Sequence, residues 1–595
     1  MNYIFTILFF FLSNFVFASD TENTEVEVIN LYEAKSLDQM VLENIKNEED
    51  NVENEINEKS KEDEDVTIDN DDTDVNENKI EEADIVKASL FLQYDSKDIK
   101  NYFDNLGNIN SKTLQEELII ILENLELNFN DEQDQKLFFL IVNYFKSIGQ
   151  INKSYDLIEK YDLNNDINLN YYINIKINFL LSTLQLNEAC EFKEDLDENT
   201  KLDFFLLEKL DIFCLILNNN ESEASLLNSI LIETEIKSDN YFQLLYSLIT
   251  DPTEKLKSDI LNNNKEINSE LIFLYSAMTR IAELPFSKEF YFLDKKNLAI
   301  PIILNQASPI DLRINAANES FLNNVISIES LAALYMSVDF NAEQLNNPEQ
   351  TIPSLSDNKE LGLAYFYQLI NIQIFPSDRL KALVQFWDFA KKNNLEEIAF
   401  KLSNNMLNSI EATSESIVYA PEIASAYIFN DDFEKAEKWI ELYENSKDID
   451  SKSIYIRILL DLYSSFDLTS FINSLNLTLN SFKDYDDNQD EELLFVLKDV
   501  MNLDSKYKTN INFSKIFDDR SMPSIFLFNE IKNSLVNNDN QRFLIYSLIS
   551  LNSKEWNDIH PEHLKIILNG YLKYDDGKLF RNLILEIFKN YNFIL

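Results

Sequence analysis

Between Phe138 and Leu231 the apolar positions recur with a period of 35 residues, and the small residues Ser154, Ala189 and Ala224 mark the register. Twelve positions before each lie Val142, Ile177 and Ile212, and nine before lie Phe145, Leu180 and Leu215. Three after come Leu157, Phe192 and Leu227, and seven after come Tyr161, Leu196 and Leu231. Apolar residues at helical spacing on both sides of a turn, with a small residue where two helices would cross, predict antiparallel helix pairs stacked on their own copies. The expected molecule is all-α: an elongated solenoid whose neighbouring hairpins share a buried seam containing Val142, Ile177 and Ile212.

The same periodicity extends on both sides. Helical segments run from about Ile85 to Ile281, which assigns residues 87–283 to a first helical half. No Pro precedes Pro252, yet six fall between Pro285 and Pro376. The pattern breaks there, so 284–308 reads as a junction and 309–595 as a second half. Asp251-Pro252 and Ser308-Pro309 have the form of helix starts, a polar cap followed by Pro in a turn that lacks N–H partners anyway. Two closing helices, Pro561 to Tyr571 and Lys578 to Tyr591, are expected as a terminal cap over the last stacked face.

In the second half Ile423, Ala424, Tyr427, Ala436, Ile440 and Tyr443 stand where the tetratricopeptide pattern wants Leu, small, Tyr, Ala, Phe and Ala. The stretch from Ala420 to Glu444 resembles a tetratricopeptide unit. Trp387, Ala390, Ala399, Leu402 and Met406 form a looser copy 37 residues earlier. In the first half Val142, Ile177 and Ile212 occupy the position that should be small, so those units are only tetratricopeptide-like. Arg313, Ala316, Ala317 and Glu319, followed by Leu331 to Tyr335 and Phe340, are similar to a segment of an uncharacterised family of secreted helical-repeat proteins from Gram-negative bacteria. That resemblance implies a secreted helical array and no active residues.

Composition agrees with helices. Hydrophobic residues make up 45% of the 595, enough for a continuous core, while five Gly and ten Pro are too few for the frequent tight turns of a many-stranded β protein. The net charge is −53, and residues 20–84 hold 25 acidic side chains against 5 Lys. Such a surface repels phosphate backbones and anionic membranes, which excludes nucleic acid as an expected partner. With Tyr32 its only aromatic, the segment 19–86 is expected to be a disordered acidic arm. A weak helical pattern from Leu31 to Ile45 reads as a tethered recognition helix or as a nascent helix of no consequence. Residues 1–18 are uncharged and apolar and end in Val16-Phe17-Ala18, the pattern of a cleaved signal peptide; an uncleaved anchor is the alternative. In a Gram-negative cell, the setting the resemblance implies, the mature chain would be periplasmic or secreted.

Candidate chemistry is sparse. His560 and His563 are the two histidines; spaced i, i+3 at a helix start, they lack the further ligand that a metal site needs. The isolated glycines form no phosphate-cradling loop, and no Ser stands in a nucleophile elbow. No catalytic, cofactor-binding or metal-ligating residue is assigned, and no cofactor. Cys190 and Cys214 would lie on adjacent helices of neighbouring repeats, where a disulfide forms if their Cα atoms come within about 7 Å; two buried thiols are the alternative. Trp387 and Trp439 fit core positions, and Trp556 has no evident place. The pattern points to a non-enzymatic scaffold that holds protein or peptide, with an envelope enzyme cutting cell-wall polymer through Asp and Glu carboxylates as the alternative.

Overall fold

A computed structural model describes residues 96–591 except 108, 130, 164–165, 198–199, 236, 252–266, 447–450, 465–467, 482–488, 504–517 and 575–576. The expected signal peptide (1–18), the acidic arm (19–86) with its 31–45 pattern, and Pro252 of the first expected helix start lie outside these residues. Asp251, the other half of that start, closes the preceding helix instead. Among the described residues there are 28 α-helices and no strand. None of these helices is long and apolar enough to cross a membrane.

Helices α1 (Ser96–Leu106) and α2 (Lys112–Glu123) precede the 35-residue units. The units are α3 (Glu132–Ile148) with α4 (Ile151–Lys160), α5 (Leu169–Ser182) with α6 (Leu186–Glu194), and α7 (Leu206–Leu217) with α8 (Glu221–Thr234). Val142 and Ile177 are 0% exposed and Ile212 is 1% exposed. Ser154, Ala189 and Ala224 are also fully buried. Small residues are needed there because the second helix crosses close over the first: Ser154 Oγ on α4 donates to the Val142 carbonyl on α3 at 2.9 Å.

Each unit turns on the same device. Gly149, Leu184 and Asn219 sit five residues before the marker and adopt positive φ of 89°, 61° and 58°. In each case the next N–H reaches back five residues to a carbonyl: Gln150 to Phe145 and Gln185 to Leu180 at 2.9 Å, and Asn220 to Leu215 at 2.8 Å. This left-handed closure satisfies carbonyls that the helix end would otherwise leave unpaired. Asn394 and Asp431 repeat it in the second half, again five residues before Ala399 and Ala436. Asn and Asp tolerate the left-handed conformation, so few glycines are needed.

α9 (Asn240–Thr250) and α10 (Ile272–Ile281) end the first half, and α10 folds back against α5. Residues 284–308 are packed chain. They contain α11 (Lys288–Tyr291) and α12 (Ala299–Leu304), and every residue of α12 is buried. The expected Ser308 cap is not formed. Pro309 begins α13 (Ile310–Leu322) without a side-chain cap, because the Ser308 hydroxyl accepts from the buried Phe286 N–H at 2.9 Å.

From there α14 (Ile328–Met336), the short α15 (Ala342–Asn346) and α16 (Pro348–Ser354), α17 (Lys359–Ile372), α18 (Pro376–Lys392) and α19 (Glu396–Leu407) continue the array. They lead to α20 (Ala420–Phe429) and α21 (Phe433–Ser446), and all six tetratricopeptide-pattern residues there are buried. The chain finishes with α22 (Ser451–Ser464), α23 (Thr469–Ser481), α24 (Gln489–Val500), α25 (Ile525–Val536), α26 (Asn540–Ser550), α27 (Pro561–Tyr571) and α28 (Lys578–Asn590). Gly570 lies inside α27 because the Phe543 ring of α26 rests on its Cα, where a Cβ would overlap the ring.

The described chain is not an open stack with two free ends. α1 packs against α26, and α2 packs against both α26 and α28. The Tyr102 and Tyr546 rings meet edge to face with centroids 5.8 Å apart. One cluster of buried apolar side chains extends from Ile99 to Phe588. Helix α28 therefore caps no outward face; it is covered by α2 and α22. Leaving both apolar ends in water would cost about 25 cal/mol for each Å² exposed, and mutual burial removes that cost.

Candidate functional site

Where the two ends meet the middle of the chain, they wall a cavity of about 1110 Å³. This is slightly above the roughly 300–1,000 Å³ usual for small-molecule sites. Its walls come from α2, the α3–α4 turn, the end of α13, the start of α19, the α20–α21 turn and α28. No local stretch of sequence contains the site, since segments more than 400 residues apart meet there (Asn110 donates to Glu555 at 2.9 Å across 445 residues).

Glu586 on α28 organises one wall. Its Oε2 accepts from Thr113 N at 2.9 Å and from Ser111 Oγ at 3.3 Å, so a carboxylate meets the free N–H groups of α2 at its positive end. Its Oε1 accepts from Trp556 Nε1 at 2.7 Å. Trp556, which the sequence left unplaced, is thus a cavity residue and only 4% exposed. Lys112 donates to both oxygens of Glu397 at 2.9 and 3.0 Å, and Lys153 pairs with Glu123 at 2.6 Å. Lys589 lies 4.2 Å from the centroid of the Phe429 ring, and burial lowers its pKa.

The carboxylates outnumber these cations. Glu116 accepts from Asn324 Nδ2 at 2.7 Å. Burial raises its pKa against the opposing pull of Asn324 and Lys112, and the nearby charges of Glu586 and Glu397 raise it further. Glu396, at the start of α19, is also raised, first by burial and then by Glu397. Its Oε2 is buried without a hydrogen-bond partner. So is Oε1 of Gln150, which is 6% exposed and whose Nε2 donates to the Asn323 carbonyl at 2.9 Å. The two unpaired oxygens are closed off from the cavity itself, whose lining combines amide, aromatic, aliphatic and carboxylate groups.

Apart from Trp556, the residues singled out from sequence lie elsewhere. Cys190 on α6 and Cys214 on α7 are joined, with Cα atoms 5.8 Å apart. His560 forms the N-terminus of α27, its Nδ1 accepting from Glu562 N at 3.2 Å. His563, expected on the same exposed helix start, is fully buried, because the apolar face of α27 turns it inward beside Ser550. Among the described residues no group of three or more His, Cys, Asp or Glu is placed to hold a metal. Trp387 donates to Ser403 Oγ at 2.9 Å within the core, and Trp439 is buried.

Two buried cations were not legible. Lys209 pairs with Glu235 and Asp239, each at 2.8 Å, while Tyr275 donates to Asp239 at 2.7 Å. Arg280 on α10 donates to the Leu181 and Ser182 carbonyls at the C-terminus of α5, where the helix dipole favours a cation. Burial lowers its pKa to about 9. Both tie helices together and neither opens on the cavity. Glu116, Glu396, Glu397 and Glu586 carried no individual signal among 104 acidic residues; only the closure of the chain sets them apart. No protein family, no characterised protein and no solved structure matches the chain.

Proposed function

We propose that this is a non-enzymatic, tetratricopeptide-like solenoid of the bacterial envelope that holds a segment of protein or peptide, and that the central cavity is where the segment lies. One observation carries the reading. A cavity of about 1110 Å³ is lined by side-chain amides and carboxylates among aliphatic and aromatic residues, groups suited to a peptide backbone and its side chains. The tetratricopeptide-like pattern of Ile423 to Tyr443, the uncharged apolar N-terminal run and the joining of Cys190 to Cys214 support the repeat class and an oxidising compartment. A photo-crosslinking residue at Asn582, on the cavity wall, should capture one recurring peptide sequence in the native envelope. The same residue at the exposed Leu477 should not. Equal labelling from both positions would reject the cavity as the holding site.

A second reading has its own observation. Glu116 has a raised pKa in a cavity shared with other carboxylates, the arrangement a glycoside-cleaving enzyme would use. Release of soluble fragments from cell-wall polymer, abolished by Glu116→Gln, would establish it. Unchanged polymer leaves the holding function in place.

A further inference from the structure

The holding function gives no part to Lys589, and what its surroundings imply goes beyond that reading. Lys112, Lys153 and Lys589 line the cavity. Lys112 is bound to Glu397 and Lys153 to Glu123. Among the described residues Lys589, on α28, has neither a hydrogen-bond acceptor nor an ion-pair partner, and its nitrogen stands 4.2 Å from the centroid of the Phe429 ring. Unlike the closed-off oxygens of Gln150 and Glu396, this nitrogen retains accessible surface, and the residue is partly exposed. A ligand in the cavity can therefore reach it.

Four charged groups face Lys589 from the elements around it: Lys112 of α2, Glu397 and Lys401 of α19, and Asp431 of the α20–α21 turn. They pair off among themselves, Lys112 with Glu397 at 2.9 Å and Lys401 with Asp431 at 3.4 Å. Glu586, one turn back on α28, is taken by Ser111, Thr113 and Trp556. No carboxylate is left to hold the Lys589 ammonium, while burial withdraws water from it and lowers its pKa. A desolvated lysine beside other cations is the form in which this side chain acts as a nucleophile, because more of the amine is unprotonated near neutral pH and its lone pair is free.

We propose that Lys589 is the nucleophilic amine of the cavity and captures a neutral aldehyde as an imine. The nitrogen lone pair forms the C–N bond to the carbonyl carbon, the two amine protons pass to the carbonyl oxygen, and that oxygen leaves as water. Nothing is oxidised or reduced, and addition of water reverses the step. The class of carbonyl compound follows from charge. Seven carboxylates line the cavity against three lysines, a field that disfavours an oxo acid and leaves an uncharged aldehyde unaffected.

Reductive trapping on the folded full chain tests this. The protein is incubated near neutral pH with propanal, or with pyruvate as the anionic probe, and the imine is reduced with sodium cyanoborohydride. Peptide mass spectrometry then locates the labelled lysines. Lys532 is the internal control: its ammonium also lies over a ring, 4.4 Å from the Phe528 centroid, but it is exposed on α25, outside the cavity. Propanal should label Lys589 severalfold more than Lys532, and unfolding in urea before labelling should abolish the difference. Lys589→Arg keeps a cation over Phe429 without an imine-forming amine. It should lose that label alone, with a thermal melt to establish that the fold persists. Equal labelling of Lys589 and Lys532 in the folded protein, or no label on Lys589, would overturn the nucleophile. Pyruvate labelling Lys589 as strongly as propanal would overturn the neutral aldehyde as its class. The holding function stands apart from these outcomes, since the crosslink at Asn582 tests it separately.

Discussion

Thr113 N donates to Glu586 Oε2 at 2.9 Å, and this one bond joins the first turn of α2 to α28 across 473 residues of chain. The same carboxylate accepts from the nearly buried Trp556 through its other oxygen. Removing it would leave an indole N–H and helix-start N–H groups without acceptors at the seam that closes the molecule. Glu586→Ala should therefore lower stability by about 2–3 kcal/mol, the loss expected when buried donors forfeit charged acceptors. Urea unfolding followed by circular dichroism measures this. Tryptophan emission should also shift to the red in native buffer as Trp556 meets water. An unchanged midpoint and spectrum would show that the ends are held by apolar packing alone.

The turns of the 35-residue units give a second prediction. Gly149 has φ of 89°, and a Cβ at that position would stand 2.7 Å from Lys296 Cβ. Gly149→Ala is expected to cost about 1–2 kcal/mol for the left-handed backbone, and more if Lys296 does not yield. Asn219→Gly, at the equivalent turn one hairpin pair further on from Leu184, should change stability by only a few tenths, because neither residue is strained there. A thermal shift assay on both variants separates backbone strain from general sensitivity of the turn.

These turns also show what the sequence can and cannot disclose. The period was readable because Val142, Ile177 and Ile212, with the small markers, repeat a burial pattern that local helix geometry alone produces. Gly149 advertises its turn, but Leu184 adopts the same positive φ with a residue that ordinarily avoids it, so only the register reveals that turn. The cavity lies beyond either kind of signal. Asn324 and Glu116 meet across 208 residues, and Ser111 and Glu586 across 475, contacts that no local periodicity encodes. The terminal helices are expected from sequence as a cap because the last stacked face would otherwise stay exposed, but they also have a partner of their own. The partner is α2, far away in sequence.

The cysteine pair gives a third prediction. Cys190 and Cys214 are 24 residues apart, and closing a loop of that length is expected to stabilise the fold by about 3 kcal/mol. Denatured, unreduced protein should contain no reactive thiol. Reduction, or the Cys190→Ser and Cys214→Ser double variant, should lower the urea midpoint accordingly. The loss should appear in the α6–α7 region, as faster amide exchange there than in α20 and α21. Two titratable thiols in the unreduced protein would contradict the bond.

Acid stability should depend on His563. Its side chain is fully buried, and its Nε2 lies 2.9 Å from Ser550 Oγ. That hydroxyl already donates to the Ser547 carbonyl at 2.7 Å, so Nε2 carries the ring proton and Nδ1 is a buried lone pair without a partner. Protonation would place a charge in the core with no acceptor for the new N–H. Burial, then the charges of Lys554 and His560, lowers the pKa to about 4 from the ordinary 6.5. The unfolded chain takes up the proton first as pH falls, so the stabilisation is complete above about 6.5 and is lost as pH drops through about 4. The interval corresponds to roughly 3 kcal/mol at about 1.4 kcal/mol per pH unit. Urea midpoints measured from pH 7 to pH 4 should fall more steeply for the unmodified protein than for His563→Leu, which has no proton to gain. Parallel curves for the two proteins would mean that acid sensitivity arises elsewhere than at His563.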